Sequence, residues 1–221
     1  MCCRYWAEET PELVEIIEEM NKSPLAGKPE KAPGIKTHGE IRPTDVAPVI
    51  ASSRSGDRAV FPMKWGFSGK KLLVNARSET ASEKAMFRDA WAYHRCIVPA
   101  SGYFEWEHTA GKDGKMRTGD KYAIRPEGGR MTWLCGLYRI EDGIPSFVIL
   151  TREPGEKIRF IHNRMPLIMP DEYVDEWIRP GAKPEELVKA AITEMDFRKV
   201  EQARKISANV QLSMDLYMNQ Y

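Results

Sequence analysis

Three features that the sequence lacks exclude whole classes of protein. Its 221 residues include only four cysteines, and the spacing of Cys2, Cys3, Cys96 and Cys135 matches no zinc-ligand pattern. No stretch approaches the roughly 20 apolar residues that cross a bilayer, and the first residues lack the basic and apolar regions of a secretory signal. We therefore expect a reduced, cytoplasmic protein that contains no metal or other cofactor and has no membrane partner.

The chain also lacks an excess of charge of either sign. Lysine and arginine total 33 against 32 aspartates and glutamates, which gives a formal net charge of +1. A protein held on nucleic acid by charge alone is far more basic, so any nucleic-acid contact must come from a local patch. The sequence shows no internal repeat and no composition break, and its length fits one large domain. We predict a single domain over residues 1–221 that acts as a monomer.

Apolar periodicity and capping signals predict four helices. The first follows Thr10 and Pro11, because Pro suits the first helical position and apolar residues recur at helical spacing up to Met20. The second begins at Thr80, which forms a capping-box spacing with Glu83. The last two follow proline and acidic start signals and span Asp171–Ile178 and Pro184–Ala191.

Short apolar runs between turn-forming residues predict strands. They are Ala47–Ala51, Ala59–Phe61, Lys71–Val74, Cys96–Pro99, Tyr103–Trp106, Tyr122–Ile124, Met131–Leu134, Leu137–Ile140 and Phe147–Leu150. The polar run Gly111–Asp120 predicts a hairpin loop, and the prolines and glycines of Asn21–Pro43 predict a long surface excursion. So many short strands favour an α+β domain with a β-barrel-like antiparallel sheet core and flanking helices.

The N terminus carries the most distinctive chemistry, because loss of Met1 would leave Cys2 with a free amine and a thiol on adjacent carbons. Such an aminothiol condenses with an aldehyde through the amine, and the thiol then closes a five-membered thiazolidine. An α-amine titrates near ~7.7–8 and a thiol near ~8.5, so both nucleophilic forms are populated near neutral pH. The alternative is that a small residue stands at position 2 by chance.

Asn75 and Arg77 lie between an apolar run and a predicted helix, where polar groups point into a cleft. They are two residues apart, so a continuing strand would place both on one face. Asn75 would then orient a reactant and Arg77 would bind an anion. The alternatives are a turn or capping role for Asn75 and a solvated surface charge for Arg77.

Glu105 and His162 are the candidate proton-transfer groups. Glu105 stands between Phe104 and Trp106, and apolar surroundings disfavour a charged carboxylate, which suits a proton shuttle. His162 is one of four histidines, and an imidazole titrates near neutral pH; its neighbour Arg164 would help Arg77 to hold an anion. The alternatives are an outward-facing Glu105 on a strand whose aromatic residues point inward, and an ordinary surface histidine.

Four motifs in order resemble the SRAP family, named for SOS-response-associated peptidases. They are M-C-x-R at residues 1–4, N-A-R-S-E-T at 75–80, R-C-I-V-P-A-S-G-Y-F-E-W at 95–106 and H-N-R-M-P at 162–166. The resemblance implies an α+β fold around a β-barrel-like core. It also implies a DNA-damage-response protein that shields abasic sites in single-stranded DNA by crosslinking to them through its N-terminal cysteine.

Carried onto this sequence, the resemblance implies a role for each matching residue. Cys2 is the nucleophile, Asn75 positions its amino group, Glu105 is the acid/base, and His162 assists opening of the sugar ring and reversal of the crosslink. Arg77 and Arg164 contact the phosphates beside the lesion, Arg4 joins them, and Thr151 lies near the active site as a further candidate contact to substrate or DNA. Trp65 and Phe67 are candidates to stack on neighbouring bases, with core packing as the alternative.

Two departures from the family pattern bear on this chemistry. Cys3 stands where the family usually has glycine, which adds bulk and a second thiol, and the segment between Trp65 and Leu72 is short. The resemblance also allows autopeptidase and lyase activities beside the crosslinking. Two other functions stay open: a cysteine peptidase, either general or limited to removing its own Met1, and a non-covalent module for single-stranded or modified DNA.

Overall fold

The computed structural model describes residues 2–22, 34–111, 113–129 and 131–201. The strands are β1 (Arg4–Ala7), β2 (Gly39–Ile41), β3 (Val46–Ser52), β4 (Arg58–Trp65), β5 (Asn75–Arg77), β6 (Arg95–Ala100), β7 (Gly102–Ala110), β8 (Met116–Pro126), β9 (Thr132–Glu141), β10 (Ile144–Arg152), β11 (Met165–Pro166), β12 (Ile168–Met169) and β13 (Met195–Lys199). The α-helices are α1 (Pro11–Asn21), α2 (Ala85–Tyr93), α3 (Val174–Ile178) and α4 (Pro184–Leu187), and three single 3₁₀ turns span Glu156–Ile158, Asp171–Tyr173 and Val188–Ala190.

Five strands close into a barrel in the order β10-β4-β3-β6-β9, because β10 pairs with both β4 and β9. This confirms the predicted α+β class with a barrel core. The sheet is mixed rather than antiparallel, since β10 runs parallel to β4 and β5. Long connections separate these strands along the chain, as parallel neighbours require.

A second sheet, ordered β13-β8-β7-β1-β2, inserts the N terminus into the fold. Strand β1 lies between β2 and β7, and its Tyr5 stands opposite Tyr103. Both tyrosines are 1% exposed and belong to the same core cluster as Cys2. The pairing of β1 therefore anchors the residues that follow Cys2 against the core. Neither β1 nor β13 was predicted, because each is short and is stabilised by partners far away in sequence.

The first helix confirms its capping signal. The Thr10 hydroxyl accepts from the Leu13 N–H at 3.3 Å, Pro11 opens α1, and the buried stripe includes Leu13, Ile16 and Met20. The predicted start of the second helix at Thr80 was wrong, because α2 begins at Ala85 and no side chain caps it.

Helix α2 begins five residues later than predicted because Ser78 is hydrogen-bonded to the neighbouring barrel strand β10. The N–H and hydroxyl of Ser78 both donate to the carbonyl of Thr151 on β10, at 2.9 and 3.1 Å. This holds the chain against the barrel, and residues 78–83 form turns instead of helix.

Other predicted boundaries also shift. The strand expected at Lys71–Val74 is wrong, since regular pairing starts only at Asn75 and Leu73 forms an isolated bridge with Phe67. The two runs Met131–Leu134 and Leu137–Ile140 are one strand, β9, which continues through Gly136. A Cβ at Gly136 would lie 2.8 Å from the Val148 carbonyl oxygen, so glycine there permits the close strand contact.

The remaining differences concern loops and helix ends. The Gly111–Asp120 hairpin loop is shorter than predicted, because β8 already begins at Met116. Residues 23–33 of the Asn21–Pro43 excursion lie outside the described residues, and β2 forms within its later part. The last two predicted helices are each part 3₁₀ turn and part α-helix.

Candidate active site

Cys2 is the centre of the site and is held in a fixed position. Its side chain is 1% exposed, and its Sγ lies 3.6 Å from the carbonyl oxygen of Arg4. Burial raises the pKa of the Cys2 thiol well above its ordinary value, and the negative charge of Glu105 raises it further. The resting thiol is therefore protonated at neutral pH, and any reaction through its sulfur would need a neighbouring base to take the proton.

Asn75 fixes the backbone at Cys2. It is the first residue of β5, which pairs alongside β10, and its Nδ2 donates to the Cys2 carbonyl oxygen at 2.7 Å. Its Oδ1 is buried and has no hydrogen-bond partner among the described residues. One amide thus holds the Cys2 carbonyl and presents a vacant acceptor beside it. Both alternatives considered for this residue, a turn or a cap, are absent from this geometry.

Glu105 points inward, so the alternative of an outward-facing glutamate on this strand is wrong. It is 3% exposed, while its neighbours Phe104 and Trp106 are only partly buried. Its Oε1 accepts from the Trp106 N–H at 3.2 Å. The Glu105 charge contributes to raising the pKa of Cys2 and favours the protonated form of His162. The carboxylate is therefore close enough to Cys2 and to His162 to act electrostatically on both.

His162 is held as a neutral imidazole with a defined tautomer. Its Nδ1 accepts from the Arg164 N–H at 3.0 Å, so the proton of the neutral ring resides on Nε2. Partial burial lowers the pKa of His162; Glu105 opposes this shift and His108 adds to it. The ring is therefore an N–H donor at neutral pH.

Three residues near the site were missed by sequence reasoning. The hydroxyls of Tyr5 and Tyr103 are buried without a hydrogen-bond partner among the described residues. Burial raises the pKa of both hydroxyls, and a negative charge on Cys2 raises both further. The His108 ring packs edge-on against His162 with centroids 4.8 Å apart. A β-bulge between Trp106 and His108 redirects the His108 side chain, and no sequence signal marked that bulge.

The three candidate anion-binding residues differ in their exposure to solvent. Arg77 is exposed at the end of β5, as expected for a phosphate contact. Arg4 is partly exposed and pairs with Glu40 at 2.7 Å. Arg164 is an internal brace, because its guanidinium forms a bidentate pair with Glu79 at 2.7 and 2.8 Å and donates to the Thr151 carbonyl.

Thr151 was predicted to contact substrate or DNA, and the structure contradicts this. The residue is 0% exposed, and its hydroxyl donates to the Ala76 carbonyl at 3.3 Å. Thr151 therefore joins β10 to β5, the strand that begins with Asn75.

Trp65 was also predicted to bind DNA, and that prediction was wrong. Its side chain is 0% exposed, its Nε1 donates to the Val74 carbonyl at 2.9 Å, and its ring stacks on Phe147. A ring enclosed on both faces cannot stack on a base. Phe67 is likewise 0% exposed, so the alternative of core packing is the correct one for both aromatic residues.

A family model described as SOS response associated peptidase (SRAP) matches residues 1–212. The chain belongs to this family. The resemblance of its four motifs is thereby confirmed.

Named relatives of this SRAP chain come from bacteria and from animals. The abasic site processing protein YoqW of Bacillus subtilis is 30% identical over 182 residues, covering 76% of this chain and 77% of that protein. The abasic site processing protein YedK of Escherichia coli is 28% identical over 195 residues, covering 81% and 80%. The abasic site processing protein HMCES of Rattus norvegicus is 26% identical over 184 residues, covering 63% of this chain and 52% of that protein.

Solved structures share the fold. A crystal structure of a protein from Bacteroides thetaiotaomicron has a TM-score of 0.68 at 20% identity and covers 91% of this chain and 93% of its own. A phage-related protein from Bordetella bronchiseptica has a TM-score of 0.66 at 20% identity, with coverages of 91% and 95%. Within the described ranges, no helix of the chain has the length and apolar character needed to cross a membrane.

Proposed function

We propose that this chain, once Met1 is removed, captures abasic sites in single-stranded DNA as a thiazolidine on Cys2 and so shields the lesion. Relatives named as abasic site processing proteins support the choice of substrate. The observation that carries the chemistry is the bond from Asn75 to the Cys2 carbonyl, together with a buried Glu105 whose charge acts on the same cysteine. Once Met1 is removed, the same arrangement would bring the α-amine and thiol of Cys2 together with a proton acceptor in one enclosed place.

The first step is exposure of the aldehyde. An abasic deoxyribose is mostly a closed hemiacetal, and opening it requires proton transfer to the ring oxygen and from the anomeric hydroxyl. Glu105 accepts the proton of the anomeric hydroxyl, while the Nε2–H of the neutral His162 donates a hydrogen bond to the departing ring oxygen, which then takes the proton from Glu105. General acid–base catalysis of this kind contributes roughly 10²–10⁴-fold.

The second step joins protein and DNA. The Cys2 amine adds to the aldehyde carbon, and loss of one water gives an imine. The thiol then adds across the C=N bond: sulfur binds carbon, Glu105 takes the thiol proton, and a proton is delivered to nitrogen. The net change is loss of one water. Holding the amine and thiol beside the aldehyde makes both additions effectively intramolecular, a gain that reaches about 10⁵ M or more in favourable cases.

The DNA backbone is bound by the exposed cations near Cys2. Arg77 extends from the strand that carries Asn75, and Arg4 follows Cys2 by two residues. We assign them to the phosphates beside the lesion. Arg164 donates to Glu79 and to the Thr151 carbonyl, and its Nε is buried, so its proposed contact with a phosphate requires the side chain to leave these partners.

Mass spectrometry tests this proposal. The Met-free protein is mixed with a short single-stranded oligonucleotide containing one abasic site, and the intact mass of the product is measured. The expected adduct equals protein plus oligonucleotide minus one water. The variant Cys2→Ala should form none, whereas Cys3→Ala should react normally as the matched thiol control. An adduct of equal yield in Cys2→Ala would refute the assignment.

We further propose that the same groups remove Met1, because Cys2 immediately follows the bond to be cleaved. Expression in a host whose methionine aminopeptidase is blocked tests this, with intact mass as the readout. Loss of Met1 from the unmodified sequence and its retention in Glu105→Ala would support self-processing. Retention of Met1 in both proteins would refute it.

A further inference from the structure

Three cations converge on one carboxylate beside the N-terminal strand. The Oε1 of Glu40 accepts from Arg4 Nη1 at 2.7 Å and from Arg42 Nε at 2.9 Å, and its Oε2 accepts from Lys121 Nζ at 2.8 Å. We call these four residues the Glu40 cluster. Three positive charges against one negative charge leave the cluster with a net charge of +2.

The cluster lies on the outer face of the second sheet. Directly opposed residues of antiparallel strands share a face, and the register pairs Glu40 with Trp6, Arg4 with Phe104, and Trp106 with Lys121. The side chains of Arg4 and its partners therefore project outward, while those of the intervening Tyr5 and Tyr103 point into the core. The cluster is tied to the active site through Arg4, whose carbonyl is contacted by the Cys2 thiol.

Two of the cations are held by aromatic rings as well as by Glu40. Lys121 Nζ lies 3.7 Å from the centroid of the Phe104 ring, and the Arg4 guanidinium lies 5.1 Å from that of Trp106. Cation–π contacts of this kind hold a charge in place without neutralising it. The positions of Arg4 and Lys121 thus have supports that do not depend on the carboxylate.

Glu40 presents two anionic oxygens to these cations, as a phosphodiester group would. Partial burial raises the pKa of Glu40, but hydrogen bonds from Lys121 and Arg42 outweigh this and lower it to about 2. The group is therefore an anion at any working pH. Two anionic oxygens that accept three charge-assisted hydrogen bonds reproduce the contacts of a bound phosphate group.

We propose that Arg4, Arg42 and Lys121 form a subsite for a backbone phosphate of single-stranded DNA, and that Glu40 occupies this subsite in the free protein. The inference rests on the proposed function, because the DNA strand must pass Cys2. Displacement of Glu40 by a phosphate opposes binding, so undamaged DNA, which gains no covalent bond, is held weakly.

The test is the variant Glu40→Gln, measured with an undamaged single-stranded oligonucleotide so that no crosslink is involved. Affinity at low salt should rise by about fivefold to tenfold, since one anion near the phosphate is removed. The slope of log affinity against log salt should steepen by about 0.7, the value for one more neutralised phosphate on a single strand. Adding Arg42→Ala to Glu40→Gln should reverse both changes.

Glu15→Gln is the matched control, because Glu15 is exposed on α1 and its replacement alters net charge equally. It should leave the affinity unchanged. Unchanged or weaker binding in Glu40→Gln, with an unaltered melting temperature, would overturn the inference and make Glu40 an organiser of the cations. Failure of the proposed function is seen separately, as absence of a lesion-dependent adduct in a protein whose Glu40→Gln response is intact.

Discussion

Replacement of Asn75 by alanine should slow capture of the abasic site without weakening its binding. The variant loses the 2.7 Å bond from Nδ2 to the Cys2 carbonyl and the buried Oδ1 beside it. A net hydrogen bond is worth about 1 ± 0.5 kcal/mol, and about 1.4 kcal/mol corresponds to a tenfold change in rate. We expect the crosslinking rate to fall by roughly threefold to tenfold from the lost bond alone.

The assay is single-turnover crosslinking at saturating oligonucleotide, which separates reaction from binding. Asn75→Asp should be slower than Asn75→Ala, because a carboxylate cannot donate to the Cys2 carbonyl and repels it. Arg77→Ala is the contrasting variant: it should raise the concentration needed for saturation and leave the saturated rate nearly unchanged. An undiminished saturated rate in Asn75→Ala would refute the positioning role of Asn75.

Three further predictions concern the scaffold and its response to pH. Arg95→Met should lower the free energy of unfolding by about 2–4 kcal/mol, measured by urea denaturation, because the buried guanidinium donates to four backbone carbonyls that would lose their donor. The control Arg58→Met removes an exposed ion pair and should lower it by less than about 1 kcal/mol. Equal losses in the two variants would contradict the reasoning. Trp65→Phe should lower the melting temperature and leave affinity for single-stranded DNA unchanged, so a loss of affinity in a stable variant would restore a DNA-binding role. Since the pKa of His162 is lowered in the folded state, the unfolded chain binds the proton first, and stability should fall as pH drops below about 6.5. His162→Gln should reduce this fall, measured as the melting temperature between pH 7 and 5. An unchanged dependence of melting temperature on pH would count against a neutral, half-buried imidazole.

The residues that were predictable from sequence were those marked by their local context. Asn75 follows an apolar run, Glu105 lies between aromatic residues, and Cys2 is defined by its position in the chain. In the fold, Asn75 donates a hydrogen bond to Cys2, and the charge of Glu105 acts on both Cys2 and His162. Their catalytic roles stay predictions until variants are measured.

The residues that were not predictable depend on partners far away in sequence. From sequence alone, Arg164 is expected to be a free surface cation. In the structure, Glu79, which is 85 residues away, accepts two hydrogen bonds from its guanidinium. Trp65 reads equally well as a stacking platform or as core, and only the burial of the barrel strands decides.

Helix α2 shows how a tertiary bond overrides a local signal. The capping-box spacing of Thr80 and Glu83 competes with the two hydrogen bonds from Ser78 to β10, and the tertiary bonds prevail. Pairing of a four-residue strand such as β1 with β2 and β7 is equally invisible in local sequence.

Covalent capture is the central claim, and a denaturing gel tests it most directly. Purified protein, shown by mass to lack Met1, is mixed with a single-stranded oligonucleotide carrying one abasic site, beside an undamaged control. The account predicts a heat-stable shifted band with the lesion only, absent in Cys2→Ala. No band from a protein with Cys2 confirmed at its N terminus, or an undiminished band in Cys2→Ala, would contradict it.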